Sequence, residues 1–444
     1  MTAKHLPISL LALLVLAVQG VAAEPILEDH DRNIHIPPTD ELQQTLRVGA
    51  VYNDEEFQLR YEFGVDEPSW YHQYWRYEDG DWVRYGSGSP GPDEHHLYED
   101  RISMMLDDGG VDGFDRYGGW MLIHEGMRTL TSAVGDDEVS AHQKLGREMG
   151  RSDVRKYLPA TRTGEPDEVS WDRLRPDDEL DELRAAGYFL DLWQWRAHRS
   201  HPVGHADNTL VAHYRLSAEG RSMYTDNWDE QARQPAYMFD PDKVGKVALD
   251  WDRLIAREYG QDDPYFLSED NSVAFDPDHD WQEGDVLPQR FLRRPDGSRG
   301  AIRAEGSYSE GAWRVRLTRS LEAPDPGDSK KLADGETYHV AFAVHSGGVG
   351  ARWHRVSLPL TLGLGIEQAD LTAVRVNGDL DEAEVEWHEV GLIYPGQVTW
   401  QWLNSDHPGA ALVRAGELSV HDQHALEELI EFIVEDERTR LGGE

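Results

Sequence analysis

Residues 46–64, LRVGAVYNDEEFQLRYEFG, set the fold class of this chain. Apolar and polar side chains alternate on both sides of the Asn53-Asp54 pair, which is typical of a turn between two half-buried strands. One face carries the larger apolar residues, namely Leu46, Val48, Ala50, Tyr52, Phe57, Leu59, Tyr61 and Phe63. The stretch therefore predicts a β-hairpin with one buried face.

Further strand-like runs follow along the chain, and together they predict a mainly β fold with loop and helical insertions. These runs are residues 98–106, 188–195, 312–317, 339–344 and 353–362. Pro359 demotes the last run to an edge or a bulge, because proline has no N–H to donate to a neighbouring strand. Residues 250–259 favour a short helix.

The first 23 residues predict a cleaved signal peptide. Lys4 and His5 precede an apolar run over residues 6–18, and small residues at 21–23 suit signal peptidase. The apolar run is short for a bilayer span, so we expect no membrane span after cleavage and a periplasmic or secreted protein.

We expect three parts in the chain: a signal peptide (residues 1–23), a main domain (residues 24–365) and a C-terminal appendage (residues 366–444). Within the main domain, residues 131–182 are charged, contain three prolines and predict an excursion from the sheet. The appendage contains a strand candidate at 395–403. It ends in a helix over 421–438, where Leu426, Leu429, Ile430 and Ile433 recur at helical spacing.

The charge balance restricts the partners. The chain has 43 Lys+Arg against 84 Asp+Glu, a net charge of −41 with histidine neutral. Such an acidic surface repels nucleic acid and anionic lipid, so partners are expected to be small or cationic. The sequence contains no cysteine, which excludes disulfides, thiolate metal ligands and covalent c-type haem.

Five stretches, in this order, resemble the haem-binding domain of ethylbenzene dehydrogenase-related proteins. They are AVYNDEEFQLRYEF (50–63), YEDRISMM (98–105), GGWMLIHEGMR (118–128), LDLWQWRAHRSHPVGHADN (190–208) and FAVHSGGVGARWHRVSLPLTLGLG (342–365). The resemblance covers about residues 40–365, and its most specific block is WxWRAxRxxPxGxADN.

The resemblance implies an antiparallel β-sandwich, similar to DOMON and sugar-binding modules, that holds haem b without a covalent bond. It also implies an electron-transfer protein that is not itself an enzyme, with a redox partner protein in the periplasm. Two alternatives stay open. One is a non-catalytic module that binds a ligand or carbohydrate, and the other is the haem subunit of a molybdenum oxidoreductase complex.

The same resemblance proposes axial ligands for the haem iron. The family's small subunits use methionine and lysine, and His354 stands here at the lysine's place, so His354 is the first expected ligand. His124 is the preferred second ligand, because longer cytochromes of the family carry a histidine there. Met127 and Met121 remain alternatives, since a thioether would raise the potential.

Other side chains are expected around the porphyrin. Trp193 and Trp195 share one face of a strand and could form an apolar wall, although ordinary core packing is the default for such residues. Arg196, Arg199 and His205 could pair with the haem propionates, while pairing with the abundant carboxylates is their simpler interpretation.

A different metal site is suggested by His198, His201 and His205, which recur at three- and four-residue spacing. On a helix, their spacing would place the imidazoles on one face, as zinc or copper requires. Pro202 and Gly204 argue against a helix at this point.

Overall fold

The computed structural model describes residues 27–29, 34–36, 41–86, 91–122, 125–128, 130, 132–166, 168–349, 353–416 and 423–442. The expected signal peptide therefore lies outside the described residues. None of the described helices is both long enough and apolar enough to cross a membrane.

The strands of the N-terminal half are β1 (Leu27–Asp29), β2 (Ile34–Ile36), β3 (Gln43–Tyr52), β4 (Glu56–Gly64), β5 (Tyr74–Glu78), β6 (Asp81–Tyr85), β7 (Gly91–Pro92), β8 (Arg101–Asp107), β9 (Leu190–Arg196), β10 (His205–Val211), β11 (Arg215–Ser217), β12 (Tyr224–Asp226) and β13 (Tyr237–Phe239). Those of the C-terminal half are β14 (Leu249–Asp250), β15 (Leu267–Ser268), β16 (Ser272–Ala274), β17 (Asp285–Pro288), β18 (Arg290–Leu292), β19 (Ile302–Ser309), β20 (Ala312–Ser320), β21 (Thr337–His345), β22 (Gly348–Val349), β23 (Arg355–Val356), β24 (Leu360–Leu364), β25 (Leu371–Arg375) and β26 (Trp387–Ile393).

The α-helices are α1 (Phe114–Met121), α2 (Asp136–Ala141), α3 (Asp177–Ala185), α4 (Pro241–Val244), α5 (Trp251–Ile255), α6 (Trp400–Leu403), α7 (Pro408–Ala415) and α8 (Gln423–Gly442). A π-helical segment spans Gln143–Glu148, and short 3₁₀ segments span Pro159–Thr161, His201–Val203 and Ser298–Gly300.

Ten of the described strands form a closed ring in the spatial order β3, β25, β24, β21, β8, β9, β10, β19, β20 and β4, and β4 pairs again with β3. Neighbours are antiparallel except at β24–β25 and β25–β3. The mainly β fold is confirmed. The finer expectation of a sandwich of separate sheets goes beyond what this strand pairing shows.

The predicted hairpin is β3–β4, with Tyr52 paired to Phe57 across the Asn53-Asp54 turn. Its apolar face lies in the main core inside the ring, and the eight residues of that face are all buried there. Because strand residues alternate between the two faces, the opposite face of each ring strand is left for other packing.

Residues 70–86 and 224–292 build a smaller lobe on one side of the ring. It contains the sheets β14-β17-β5-β6, β12-β18-β15 and β13-β16 around a separate aromatic-rich core. The expected short helix near residue 250 is α5 in this lobe.

The predicted excursion at 131–182 contributes no strand to the ring in its described part. Its helical segments pack with Tyr214 in a small cluster on the outside of the ring. Residues 153–156 of this excursion thereby approach the outer face of the sheet.

The expected appendage at 366–444 needs a correction. Strand β25 lies between β24 and β3, so the ring is incomplete without residues 371–375, and β26 pairs with β3 outside the ring. The strand prediction for 395–403 is wrong, because Thr399 caps a helix by accepting a hydrogen bond from the Trp402 N–H. The predicted terminal helix is α8, and Leu429, Ile430 and Ile433 are buried.

Candidate haem site

A cavity of about 230 Å³ lies on the outer face of the ring, against strands β8, β9 and β21. The side chains of the sheet that line it are Arg101, Ser103, Met105, Leu192, Gln194, Ala341, Ala343 and His345. The other residues around it are Gly119, Trp120, Met127, Asp153, Val154, Arg155, Lys156, Arg215, Phe342, His354, Val356 and Ser357.

Small residues shape this cavity in two ways. The alanines of β21 leave space for it, and a glycine in α1 allows that helix to lie close to the sheet. Ala341 and Ala343 leave the middle of β21 bare on the outer side. Gly119 lets α1 approach β8, because a Cβ atom at this position would collide with the Met105 sulfur. The result is a deep space between the sheet and the segments that cover it.

Two histidines meet at one end of the cavity. His345 ends β21, and β23 pairs with β21 so that Arg355 lies opposite Val344. This register places His354 beside His345, where the two rings stack with centroids 4.6 Å apart and planes 7° apart. The Nδ1 atom of each ring is buried and has no hydrogen-bond partner in the described structure.

Both histidines are held in the neutral form. Burial lowers the pKa of His345 well below its usual value, and the charge of Arg101 and the His354 ring lower it further. Burial likewise lowers the pKa of His354, with Lys156 and Arg101 adding to the effect. A neutral imidazole keeps a lone pair available, which is the form that binds metals.

Thioethers also reach the cavity. Met127 lines it, and so does Met105 from β8. Met121 is instead buried in the apolar cluster that includes Ile430 and Ile433 of α8, and it is not among the residues lining the cavity. His124 lies outside the described residues.

The cavity is cationic although the chain is strongly acidic. Four described lining residues are basic, namely Arg101, Arg155, Lys156 and Arg215, whereas Asp153 is the one carboxylate among them. Burial lowers the pKa of all four cations, to about 9 for Arg215 and about 7 for Lys156.

Three of these cations have no carboxylate partner among the described residues. Arg101 donates to the Gly348 carbonyl at 3.1 Å, and Arg215 donates to the Gln194 side-chain oxygen at 2.7 Å. Lys156 makes no hydrogen bond or ion pair within the described structure, while Arg155 lies 3.7 Å from Asp153. Such buried positive charge is costly unless an anion compensates it.

The two tryptophans expected at the porphyrin do not line this cavity. Trp193 and Trp195 point from β9 into the core of the ring, on the face opposite Leu192 and Gln194. They are fully buried there, and Trp195 packs edge-on against Trp313.

The arginines expected at the propionates already have carboxylate partners. Arg196 forms an ion pair with Asp207 at 2.7 Å, and Arg199 pairs with the buried Glu99. His205 begins β10 opposite Arg303 and does not line the cavity. The arginines that do line it, Arg101, Arg155 and Arg215, were not predicted from the sequence.

The alternative site at His198, His201 and His205 is not assembled. His198 is buried with its Nδ1 atom 3.1 Å from the Trp70 carbonyl, and His201 lies in a 3₁₀ segment. No group of three His, Cys, Asp or Glu side chains placed to hold a metal ion occurs in the described part of the chain.

His345 was also missed, although a signal for it exists. Ala341, Ala343 and His345 alternate along one face of β21. Two small residues followed by a histidine on the same face are typical of a strand that faces a ligand space rather than a packed core.

Comparison with known families places the chain. The profile of the ethylbenzene dehydrogenase family matches residues 19–357. This chain belongs to the ethylbenzene dehydrogenase family. The family match includes every residue that lines the cavity, whereas strands β24, β25 and β26 follow it.

A second comparison finds a cytochrome. Cytochrome c-552 of Stutzerimonas stutzeri is 31% identical over 112 residues, which is 24% of this chain. The match spans 36% of the length of that relative, so this family member resembles only part of it.

Proposed function

We propose that this chain binds one haem b in the outer-face cavity and carries electrons in the periplasm. The observation that carries the proposal is the pair His345 and His354, two neutral imidazoles whose Nδ1 atoms are buried and unpartnered at one cavity. The cavity also has apolar walls, which suit the porphyrin ring, and cations without a carboxylate partner, which suit the propionates. The family match and the cytochrome relative support the same conclusion.

The residues would divide the task by their chemistry. His354 would offer an imidazole nitrogen to the iron, and His124 or Met127 would supply a second ligand. When bound, the haem supplies a one-electron couple whose potential depends on the axial pair and on burial. Since the chain lacks cysteine, the group would be held without covalent bonds.

The cations would hold the propionates. A haem carries two carboxylates, and Arg101, Arg215 and Lys156 are the cavity cations without a carboxylate partner in the described structure. Arginine is well suited to this role because its planar fork matches a carboxylate. Three cations around two anions would leave the buried site nearly neutral.

The wider assignment follows from the sequence. An export signal would deliver the protein to the periplasm, where a redox partner protein would exchange electrons with it. The sandwich-like shape that the resemblance implies would serve as a rigid frame for the cavity. The family match also supports a second assignment as a subunit of an oxidoreductase complex, and co-purification of a tightly bound catalytic subunit would identify that case.

The deciding experiment is a visible spectrum of the full chain, exported in a host supplied with haem, in the oxidised and the dithionite-reduced state. We expect a Soret band and sharp reduced α and β bands. The variants His124→Ala and Met127→Leu are measured in the same way as the wild type. Only the variant that removes the second iron ligand should lose the sharp bands. A colourless protein would reject the haem function and favour the ligand- or carbohydrate-binding module.

A further inference from the structure

The opening of the cavity is surrounded by positive charge. Met127, Arg155, Lys156 and Arg215 are among the partly exposed residues that line the cavity. Arg128 and Arg151 lie next to this opening, with 52% and 34% of their side chains exposed. We call the basic residues Arg128, Arg151, Arg155, Lys156 and Arg215 the mouth patch.

The mouth patch has a local charge opposite to that of the whole chain. Two carboxylates pair with it, Asp136 at 3.7 Å from Arg128 and Asp153 at 2.6 Å from Arg151. With haem bound as proposed, its two propionates also face this patch, so five cations against four anions leave a positive excess of one, in a chain where acidic residues outnumber basic ones 84 to 43. The cations also act on one another, because Arg151 and Arg128 both lower the pKa of Arg155.

A partner at contact distance is attracted or repelled by the charges of this patch more than by the net charge of the whole chain. The Debye length is about 10 Å at 0.1 M salt, so charges on the far side of the molecule are screened at the mouth. An acidic face would be attracted by the patch and repelled by the surrounding surface, which orients the encounter. The expectation that partners are cationic or small follows from the net charge of the whole chain, whereas the charge at this opening is locally positive.

We propose that the mouth patch docks a redox partner protein through an acidic face on that partner. This inference rests on the proposed haem function, because the patch surrounds the opening nearest to the expected cofactor. It adds the docking surface and the charge of the partner.

The test uses small redox probes of opposite charge on the haem-loaded full chain. Hexacyanoferrate(III), a trianion, takes one electron from the reduced protein and becomes hexacyanoferrate(II). Hexaammineruthenium(III) is the cationic counterpart. We expect the second-order rate constant of hexacyanoferrate(III) to fall as NaCl is raised, as attraction requires, and that of the ruthenium complex to rise.

The opposite signs would overturn the inference, since a molecule of net charge −41 without a local patch repels the trianion and loses that repulsion in salt. A protein without haem colour would instead reject the proposed function. The two failures are therefore distinguishable.

Charge-reversal variants locate the effect. Arg151→Glu should slow hexacyanoferrate(III) by about tenfold at low salt. Arg253→Glu is the matched control, because Arg253 is also an exposed arginine paired with a carboxylate, Glu258 at 2.9 Å, but it lies in the lobe. Both changes lower the net charge equally, so an equal effect of both would contradict docking at the mouth.

A second readout is independent of electron transfer. A labelled short polyglutamate peptide is titrated onto the same proteins, and binding is followed by fluorescence anisotropy. Wild type and Arg253→Glu should bind alike, and Arg151→Glu should bind about tenfold more weakly. Equal binding by all three would reject an acidic docking face.

Discussion

Leu192 and Trp193 are neighbours in strand β9, yet Leu192 faces the outer cavity and Trp193 faces the core of the ring. Trp193 is fully buried, packs edge-on against Phe57 and lies under the guanidinium of Arg319 at 4.5 Å. The wall of the candidate haem site and the centre of the core are thus separated by one layer of sheet. A substitution at either residue should affect a different property of the protein.

We expect Trp193→Ala to lower the free energy of unfolding by about 3–5 kcal/mol, because it leaves a large void in a close-packed core. The haem spectrum of the folded fraction should stay that of the wild type. Urea titration and a visible spectrum check the two parts. Leu192→Ala is the control from the cavity side, and it should weaken haem retention. Loss of the haem bands in Trp193→Ala at temperatures where the variant is folded would contradict the assignment of Trp193 to the core.

The two stacked histidines should differ in their effects. His354→Ala is expected to abolish the sharp reduced bands, because it removes the proposed axial ligand. His345→Ala should keep them but lower haem affinity by about 10–100-fold, the usual cost of losing a neighbour of a ligand. His339→Ala, on the same face of β21 but away from the cavity, is the matched control and should behave as wild type. If only His345→Ala lost the bands, His345 would be the axial ligand and His354 its neighbour.

Lys156 should destabilise the folded protein when haem is absent and strengthen the binding of haem. Burial and Arg215 lower its pKa to about 7 from 10.5. Between these values the unfolded chain binds a proton that the folded haem-free chain lacks, so stability should rise as the pH rises from about 7 to 10.5. Below pH 7 the charged, poorly solvated ammonium destabilises the folded state.

Lys156→Met should therefore stabilise the haem-free protein at pH 6. The gain is on the order of 1 kcal/mol, since the side chain is partly exposed and solvent screens it. The same variant should bind haem more weakly, because a cation near the propionates is lost. Thermal melts from pH 6 to 10 and a haem titration provide the measurements, and a less stable haem-free variant at pH 6 would be the contrary result.

The ion-pair cluster Arg196–Asp207–Arg299 should stabilise the fold rather than bind haem. Burial alone would raise the pKa of Asp207, but Arg196 and Arg299 lower it to about 2. We expect Asp207→Asn to cost about 3–5 kcal/mol at neutral pH, because two buried cations lose their partner. A group with a depressed pKa contributes stability above its unfolded pKa, so the difference should shrink as the pH falls from about 4 to 2.

Urea titrations at several pH values test the cluster. Glu258→Gln, which breaks the exposed Arg253–Glu258 pair, is the control and should change the unfolding free energy little. A neutral-pH effect of Asp207→Asn no larger than this control would contradict a structural role for the buried cluster.

Much of the local structure was accessible from the sequence. The alternation over residues 46–64 predicted the β3–β4 hairpin and its buried face, and the spacing of Leu429, Ile430 and Ile433 predicted the buried side of α8. Both succeed because the period of apolar residues reports one buried face against one exposed face. The resemblance to the ethylbenzene dehydrogenase family also needed only short motifs in order.

The sequence by itself determined the mainly β class, the family and His354 as a candidate ligand. Only the tertiary structure decided what surrounds the cavity, including the contact of His345 with His354 and the four cations. The physical reason is visible in β9, where every residue is buried on both faces of the strand. The alternation of side chains along a strand separates its two faces. It does not tell which face meets the core and which meets a ligand space, because that depends on the distant segments packed against each face.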